Sequence, residues 1–424
     1  MKPKLLTVFA LALFLAGFAR KAKTALSNSN TTPEPTVNQN SRPLIYLNED
    51  RLNLAKKEIE SNNPIYIKAY QSVLESANVE LTKEVDPVIN KTIVPPSGDM
   101  QDYYSIHPYA WPNPNTEDGL PWIGKDGQLN PMTRGSDTDY TRLRSMFDSL
   151  ETLALAYYFS GDERYLKKAQ MIVDTWFINP KTRVNPNIDY GQGVPGKIEG
   201  RMFGIIEFSH FGKVITVLQL LERNGLWSLS NKSIMNQWLE EYYVWLTTSK
   251  FGVGERSRTN NHSSNYDYQI LGIMIYLGKS DLANKLVETA KTERIAIQIR
   301  ADGSQPRELA RTKSVNYTVN NLWALARVTD IGRRFTNIDL WNHQTAEGVS
   351  LKTGFDFVIP YLLGDKDWRW EQIQGGGAVK QLDRMAVPMF TRTELMLGED
   401  ILPDQFDGTD QFSAKDILIF APAK

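Results

Sequence analysis

Apolar side chains return at three- and four-residue intervals through most of this 424-residue chain. That period specifies amphipathic helices and leaves little room for sheet. Leu143, Met146, Phe147, Leu150, Leu153, Ala154 and Tyr157 fall on one stripe. After the break at Ser160-Gly-Asp-Glu-Arg, a second stripe runs through Tyr165, Ala169, Ile172, Val173 and Trp176. The same pairing recurs at 203–224 with 231–250, at 265–278 with 280–299, and at 316–333 with 347–363. Near the start, Asn48 followed by Glu49 and Asp50 offers a helix cap and an acidic first turn. Hairpins of this kind stack side by side, so the expected fold is all-α: an incomplete (α/α) toroid or barrel of about six to seven helical hairpins. No crisp sequence repeat appears, which argues against a regular solenoid. Residues 409–424 read as a short terminal strand or helix.

The first 19 residues read as an export signal. Lys2 and Lys4 precede an apolar run from Leu5 to Leu15, and Gly17 and Ala19 supply small residues for cleavage. Residues 20–41 are polar and rich in Asn, Thr, Ser and Pro, the composition of a disordered linker. Residues 42–424 are then expected to form a single toroid domain. The mature chain is expected to be exported, periplasmic or secreted, with no membrane segment. The sequence says nothing about oligomeric state.

Basic residues number 48 and acidic residues 49, a balance that argues against nucleic acid as partner. A polyanion remains compatible, because a local basic cleft focuses field without changing the total. There is no cysteine, which removes disulfides, thiolate metal sites and cysteine nucleophiles. The four histidines are scattered without metal-ligand spacing, so neither a metal nor another cofactor is expected. Two long irregular stretches, 86–137 and 178–202, carry Trp, Tyr, Pro and Gly. Long loops in a compact domain tend to be functional, and these read as ordered walls of a cleft.

Two short segments concentrate reactive groups: Arg258-Thr-Asn260-Asn261-His262, and Arg307-Glu308-Leu-Ala-Arg311 leading to Tyr317. An imidazole, amides, guanidinium groups and a phenol suit β-elimination next to a carboxylate. That reaction needs a neutraliser for the carboxylate, a base for the C5 proton and an acid for the departing O4. Arg311 is expected to favour a nearby phenolate and so lower the pKa of Tyr317, provided that a turn between Leu309 and Val315 lets the two converge. His262 can serve as base, and Asn260 and Asn261 can bond a carboxylate at a helix start. A protonated Glu255 is a further candidate to hold the substrate carboxylate. Bland readings compete at each position: Tyr317 as an ordinary helix aromatic, Arg311 paired with Glu308, the asparagines as simple caps, and Glu255 as a solvated side chain. An inverting glycoside hydrolase would instead need two carboxylates about 6.5–9.5 Å apart. Asp137, Asp139, Glu199 and Glu207 are available, but no spacing singles out a pair. A glycan-binding protein without catalysis is a third reading.

The chain resembles the alginate lyase superfamily of α/α-toroid polysaccharide lyases at five ordered fragments. These are His107-Pro-Tyr-Ala-Trp-Pro-Asn-Pro, Asn185-Pro-Asn-Ile-Asp-Tyr-Gly-Gln, Gly200-Arg-Met-Phe-Gly-Ile-Ile-Glu, Asn260-Asn-His, and Asp302-Gly-Ser through Tyr317. The resemblance implies an anionic uronate polysaccharide or oligosaccharide as substrate, cleaved without a metal to give unsaturated uronate ends. It implies Tyr317 as proton donor to O4 and as a candidate base, His262 as the catalytic histidine, Asn261 as the amide beside it, and Arg311 as the support of the tyrosine. Glu255 corresponds to a carboxylate neutraliser, and Gln192, Arg201, Tyr109 and Trp111 to sugar-binding positions. The family's best-known branch has its arginine one residue further from the tyrosine, where this chain has Lys313 and Ser314. Polymannuronate is the favoured substrate, with polyglucuronate and mixed alginate blocks as alternatives.

Overall fold

The computed structural model describes residues 42–422. The expected export signal at 1–19 and the linker at 20–41 lie outside the described residues. Consecutive helices come in pairs: α1 (Glu49–Glu60) with α2 (Pro64–Thr82), α3 (Tyr140–Ser160) with α4 (Glu163–Val173), and α5 (Gly212–Asn224) with α6 (Leu229–Thr248). After a short α7 (Lys250–Arg256) come α8 (Asn261–Tyr276) with α9 (Ser280–Ala290), α10 (Ser314–Phe335) with α11 (Leu351–Leu362), and α12 (Ala378–Leu397) with α13 (Ala414–Phe420). Helices α3, α5, α8, α10 and α12 pack each against the next, and α13 returns against α1 and α2. This is an α/α toroid.

The apolar stripes face inward as the periodicity requires. Leu143, Phe147, Leu150 and Leu153 of α3 are fully buried, as are Val315, Val319 and Leu322 of α10. Burial of side chains of this size stabilises by about 1.5–3 kcal/mol each. Asn48 caps α1, its Oδ1 accepting from the Asp50 N–H at 3.0 Å. The C-terminal segment is helical at 414–420, where a Ser413/Asp416 capping box fixes its start. The stretch 203–211 departs from expectation. Met202–Phe208 is a 3-10 turn, and regular helix begins only at Gly212.

The two irregular stretches are ordered against each other. β1 (Tyr104–Ile106) pairs in parallel with β4 (Tyr190–Gly193), while β2 (Ala110–Trp111) pairs antiparallel with β3 (Ile123–Gly124). Gly191 and Gly204 allow the backbone of β4 to cross the 3-10 turn closely. A Cβ on Gly204 would sit 2.6 Å from Gly191 Cα, closer than any side chain tolerates. That crossing fixes Gln192, which has a left-handed backbone at φ 51°.

Candidate active site

The irregular walls and the first turns of α8 and α10 bring the candidate residues together. Tyr317 lies on the first turn of α10. Between the short helical turn Pro306–Leu309 and Ser314 the chain reverses direction, as the six-residue spacing of Arg311 and Tyr317 demanded. Arg311 Nη2 thereby reaches Tyr317 Oη at 2.9 Å, with the guanidinium carbon 4.0 Å from the ring centre. The Tyr109 hydroxyl, from the loop after β1, lies 3.0 Å from the same Tyr317 oxygen. Lys313 places its ammonium 5.3 Å from the Tyr109 ring.

The expected electrostatic effect on Tyr317 is overturned. Burial is the largest influence and pushes the phenol up, the Tyr109 oxygen adds to it, and Arg311 opposes both without prevailing. The resting phenol is therefore neutral at physiological pH. Arg311 does not pair with Glu308. Its partner is Asp126 on the loop after β3, at 2.6 Å. Asp126 also accepts from Thr312 Oγ1 at 3.0 Å. Burial raises the Asp126 carboxyl, but the Arg311 bond and charge outweigh it and hold it below the usual carboxylate range.

His262 and Glu255 form the second half of the site. His262 Nδ1 lies 2.5 Å from Glu255 Oε1. Glu255 is fully buried, and its Oε2 has no partner. The expectation that Glu255 holds the substrate carboxylate is corrected by this position: it faces the imidazole, not a cleft. A carboxylate on Nδ1 selects the tautomer with Nδ1–H and leaves Nε2 as the acceptor.

The simple capping role for the asparagines also fails. Asn260 sits at the cap position of α8 without a side-chain cap bond, and its buried Oδ1 is unpartnered. The helix start is held instead by Glu308, whose carboxylate accepts from the Asn261 N–H at 2.5 Å and from Asn261 Nδ2 at 2.8 Å. Burial raises the Glu308 carboxyl, while both Asn261 bonds and the nearby charges of His262 and Arg311 lower it, and burial prevails. No hydrogen bond joins Tyr317 to His262 among the described residues. Glu308, bonded to Asn261 beside His262 and three residues before Arg311, links the two halves.

Around them stand the sugar-binding candidates. Gln192 Oε1 lies 3.3 Å from His107 Nδ1, and the His107 ring meets Tyr109 edge-on at 5.5 Å. Burial, then the Arg201 charge, hold His107 down at about 4, so it is neutral. Arg201 and Arg258 place their guanidinium carbons 4.6 and 5.3 Å from the Phe203 ring, and Phe203 lies 4.9 Å from the His262 ring. Neither arginine forms an ion pair among the described residues. Trp111 is set apart: its Nε1 donates to Gln128 O at 3.0 Å, and Lys125 lies over its ring at 5.0 Å.

The carboxylates considered for hydrolysis do not frame a site. Asp139 is buried between Lys91 and Arg142, each at 3.0 Å, Asp137 accepts from Thr92 at 2.5 Å, and Glu199 is exposed. Glu207 is buried under Tyr103 and Ser105, whose hydroxyls donate to it at 2.8 and 2.6 Å.

Comparison with known proteins bears on the fold and the family. The chain is 33% identical to a crystallised alginate lyase from Bacteroides ovatus, with a TM-score of 0.81 over 89% of this chain and 99% of the other. An alginate lyase from Sphingomonas species A1 shares the fold at 14% identity and TM-score 0.50, covering 83% of this chain and 95% of the other. A variant of that enzyme was crystallised with a tetrasaccharide, at 15% identity, TM-score 0.50, and 83% and 94% coverage. No curated protein sequence matches. The alginate lyase family profile spans residues 88–368 of this chain, which with the Bacteroides match makes it a member of the alginate lyase family, a polysaccharide lyase.

Proposed function

We propose that this chain cleaves alginate by β-elimination, with polymannuronate as the preferred block and no metal in the reaction. The observation that carries the reading is the Tyr317 hydroxyl held between Arg311 at 2.9 Å and Tyr109 at 3.0 Å. In mannuronate, H5 and O4 lie on the same side of the ring, so one hydroxyl serves both transfers. The Tyr317 hydroxyl first loses its own proton to solvent; the phenolate then takes the C5 proton, and the phenol so formed delivers it to O4 as the C4–O4 bond breaks. Arg311 stabilises the transient phenolate by its charge, while Tyr109 fixes the position of the hydroxyl. Arg201 and Arg258, which form no ion pair among the described residues, take the substrate carboxylate beside His262. A guanidinium fork matches that group in shape and charge.

A second reading concerns guluronate, whose H5 and O4 lie on opposite sides. The Glu255–His262 pair supports it, because a carboxylate on Nδ1 leaves Nε2 as the acceptor to serve as base while a neutral Tyr317 donates to O4. Among the described residues no group of three or more His, Asp or Glu side chains is gathered to hold a metal ion. The test is incubation with mannuronan, guluronan and glucuronan, following both ultraviolet absorbance of the unsaturated uronate and reducing ends. Absorbance that rises fastest with mannuronan supports the reading. Reducing ends without absorbance indicate a hydrolase, and glucuronan as the best substrate moves the assignment to glucuronan.

A further inference from the structure

Beyond the catalytic cluster, along the axis of the helical ring, lies a cavity of about 380 Å3 that the elimination does not use. The reactive side chains stand on the first turns of α8 and α10. The cavity is lined from later turns of the same helices, by Tyr268, Trp323 and Arg327, and from α3, α5 and α12. Arg327 follows Tyr317 by ten residues on one continuous helix, which places it roughly 15 Å further along the axis at about 1.5 Å per residue. The volume falls at the lower end of the range for small-molecule pockets, about 300–1,000 Å3.

The charges in this cavity do not cancel. Its three carboxylates each have a cation: Asp330 has Arg334 at 2.5 Å, Glu151 has Lys213 at 3.0 Å, and Asp416 has Arg392 at 2.8 Å. Arg327 has none among the described residues. Its Nη2 donates to the neutral Asn265 Oδ1 at 3.1 Å, and its buried Nε has no partner. Its guanidinium carbon lies 3.9 Å from the Tyr268 ring centre and 5.3 Å from that of Trp323. Arg51 lines the same cavity, also without an ion pair among the described residues. A desolvated guanidinium without an anion is costly, and a fork set between aromatic faces is suited to a carboxylate attached to a flat or ring-shaped body. His210, which also lines the cavity, is kept neutral by burial and by the charges of Arg144, Lys213 and Arg327, so it adds a hydrogen-bonding group and no charge.

We propose that this cavity binds a small organic carboxylate of about one sugar ring in size, with its carboxylate on Arg327 and its ring against Trp323 and Tyr268. The proposal is independent of the lyase reading. A uronic acid and an aromatic acid share this chemistry, and the test separates them. The full chain is titrated with sodium glucuronate, sodium benzoate and glucose, by calorimetry and tryptophan fluorescence. One of the carboxylates is expected to bind at one per chain, and the better of the two identifies the source; glucose is expected not to bind. Arg201→Leu, which removes an active-site guanidinium outside this cavity, is expected to leave that binding unchanged. Arg327→Leu is expected to weaken it about tenfold or more, the effect of losing a charged hydrogen bond, and Arg327→Lys to recover part of it. Should Arg327→Leu not fold, Trp323→Leu and Arg51→Gln decide in its place, weakened binding supporting the proposal and full binding overturning it. The proposal is also overturned if neither carboxylate binds, if glucose binds equally, if a folded Arg327→Leu binds as tightly as the parent, or if Arg201→Leu abolishes binding.

Discussion

Replacing Glu255 by Gln isolates the charge of the imidazole's partner from its shape. The carboxylate is fully buried and bonded to His262 Nδ1 at 2.5 Å, and its other oxygen has no partner. A glutamine keeps a carbonyl oxygen facing Nδ1–H and sends its amide nitrogen to the place of Oε2. A hydrogen bond to a charged group contributes about 1.5–3 kcal/mol and a neutral one about 0.5–1.5, so the exchange weakens the hold on the ring by about 1–2 kcal/mol. That corresponds to roughly 5–30-fold in rate wherever the imidazole acts in the transition state. The amide also meets no acceptor, which costs about 1–3 kcal/mol, but removal of a buried charge offsets part of this, so the fold is expected to survive. The assay is kcat/KM with mannuronan and with guluronan, alongside a thermal melt. The expected result is the larger loss on guluronan, where Nε2 is the base, with a cooperative melt retained. Equal rates to the parent on both polymers would refute the positioning argument. So would a uniform loss that tracks unfolding.

Further outcomes follow from the same geometry. The Asp126 charge raises the Tyr317 phenol, so Asp126→Asn is expected to ease phenolate formation and move the alkaline rise of mannuronan cleavage to lower pH; a rise displaced to higher pH contradicts this. Because Asp126 is depressed in the folded chain, its contribution to holding the loop after β3 is present above the unfolded value near ~3.9 and is lost as pH falls through the folded value, which loop proteolysis at graded pH will read. Glu308→Gln leaves one of the two Asn261 donors without its acceptor in a buried place, a cost of about 1–3 kcal/mol, visible as a lower melting temperature and absent if water fills the role. Gly204→Ala forces the crossing with Gly191 apart and is expected to raise KM through Gln192 before it affects stability; an unchanged KM counts against that role. Chelator treatment is expected to leave turnover intact, and loss of activity restored by a divalent cation would argue for a metal-assisted elimination.

The helical framework was legible because burial on one face of a helix must repeat every three to four residues. Leu143 through Tyr157 are such a case. The Arg311–Tyr317 contact was legible too, since a turn between them was the one geometry that lets six residues separate partners. What escaped were partners set by distant chain. Asp126 lies 185 residues from Arg311, and nothing local marks it. Glu308 was read as the obvious neighbour of Arg311, three residues away, yet it turns to the start of α8 because four unpaired N–H groups there attract a carboxylate. Glu255 carried no sign of its burial, since the helix that hides it is only seven residues long. The Tyr317 pKa was misjudged because a guanidinium is visible in sequence, whereas desolvation is a property of the packed site. Arg258 stood in the reactive segment from the outset, but that it forms no ion pair among the described residues becomes evident only beside Phe203.

The most direct test of the account is Tyr317→Phe, which removes one hydroxyl and keeps the ring that packs against Arg311. Ultraviolet absorbance of the unsaturated product and equilibrium binding of a mannuronate oligosaccharide should be measured on the same preparation. Turnover is expected to vanish while binding persists. A phenylalanine variant that still cleaves mannuronan at a rate near the parent's would contradict the central assignment.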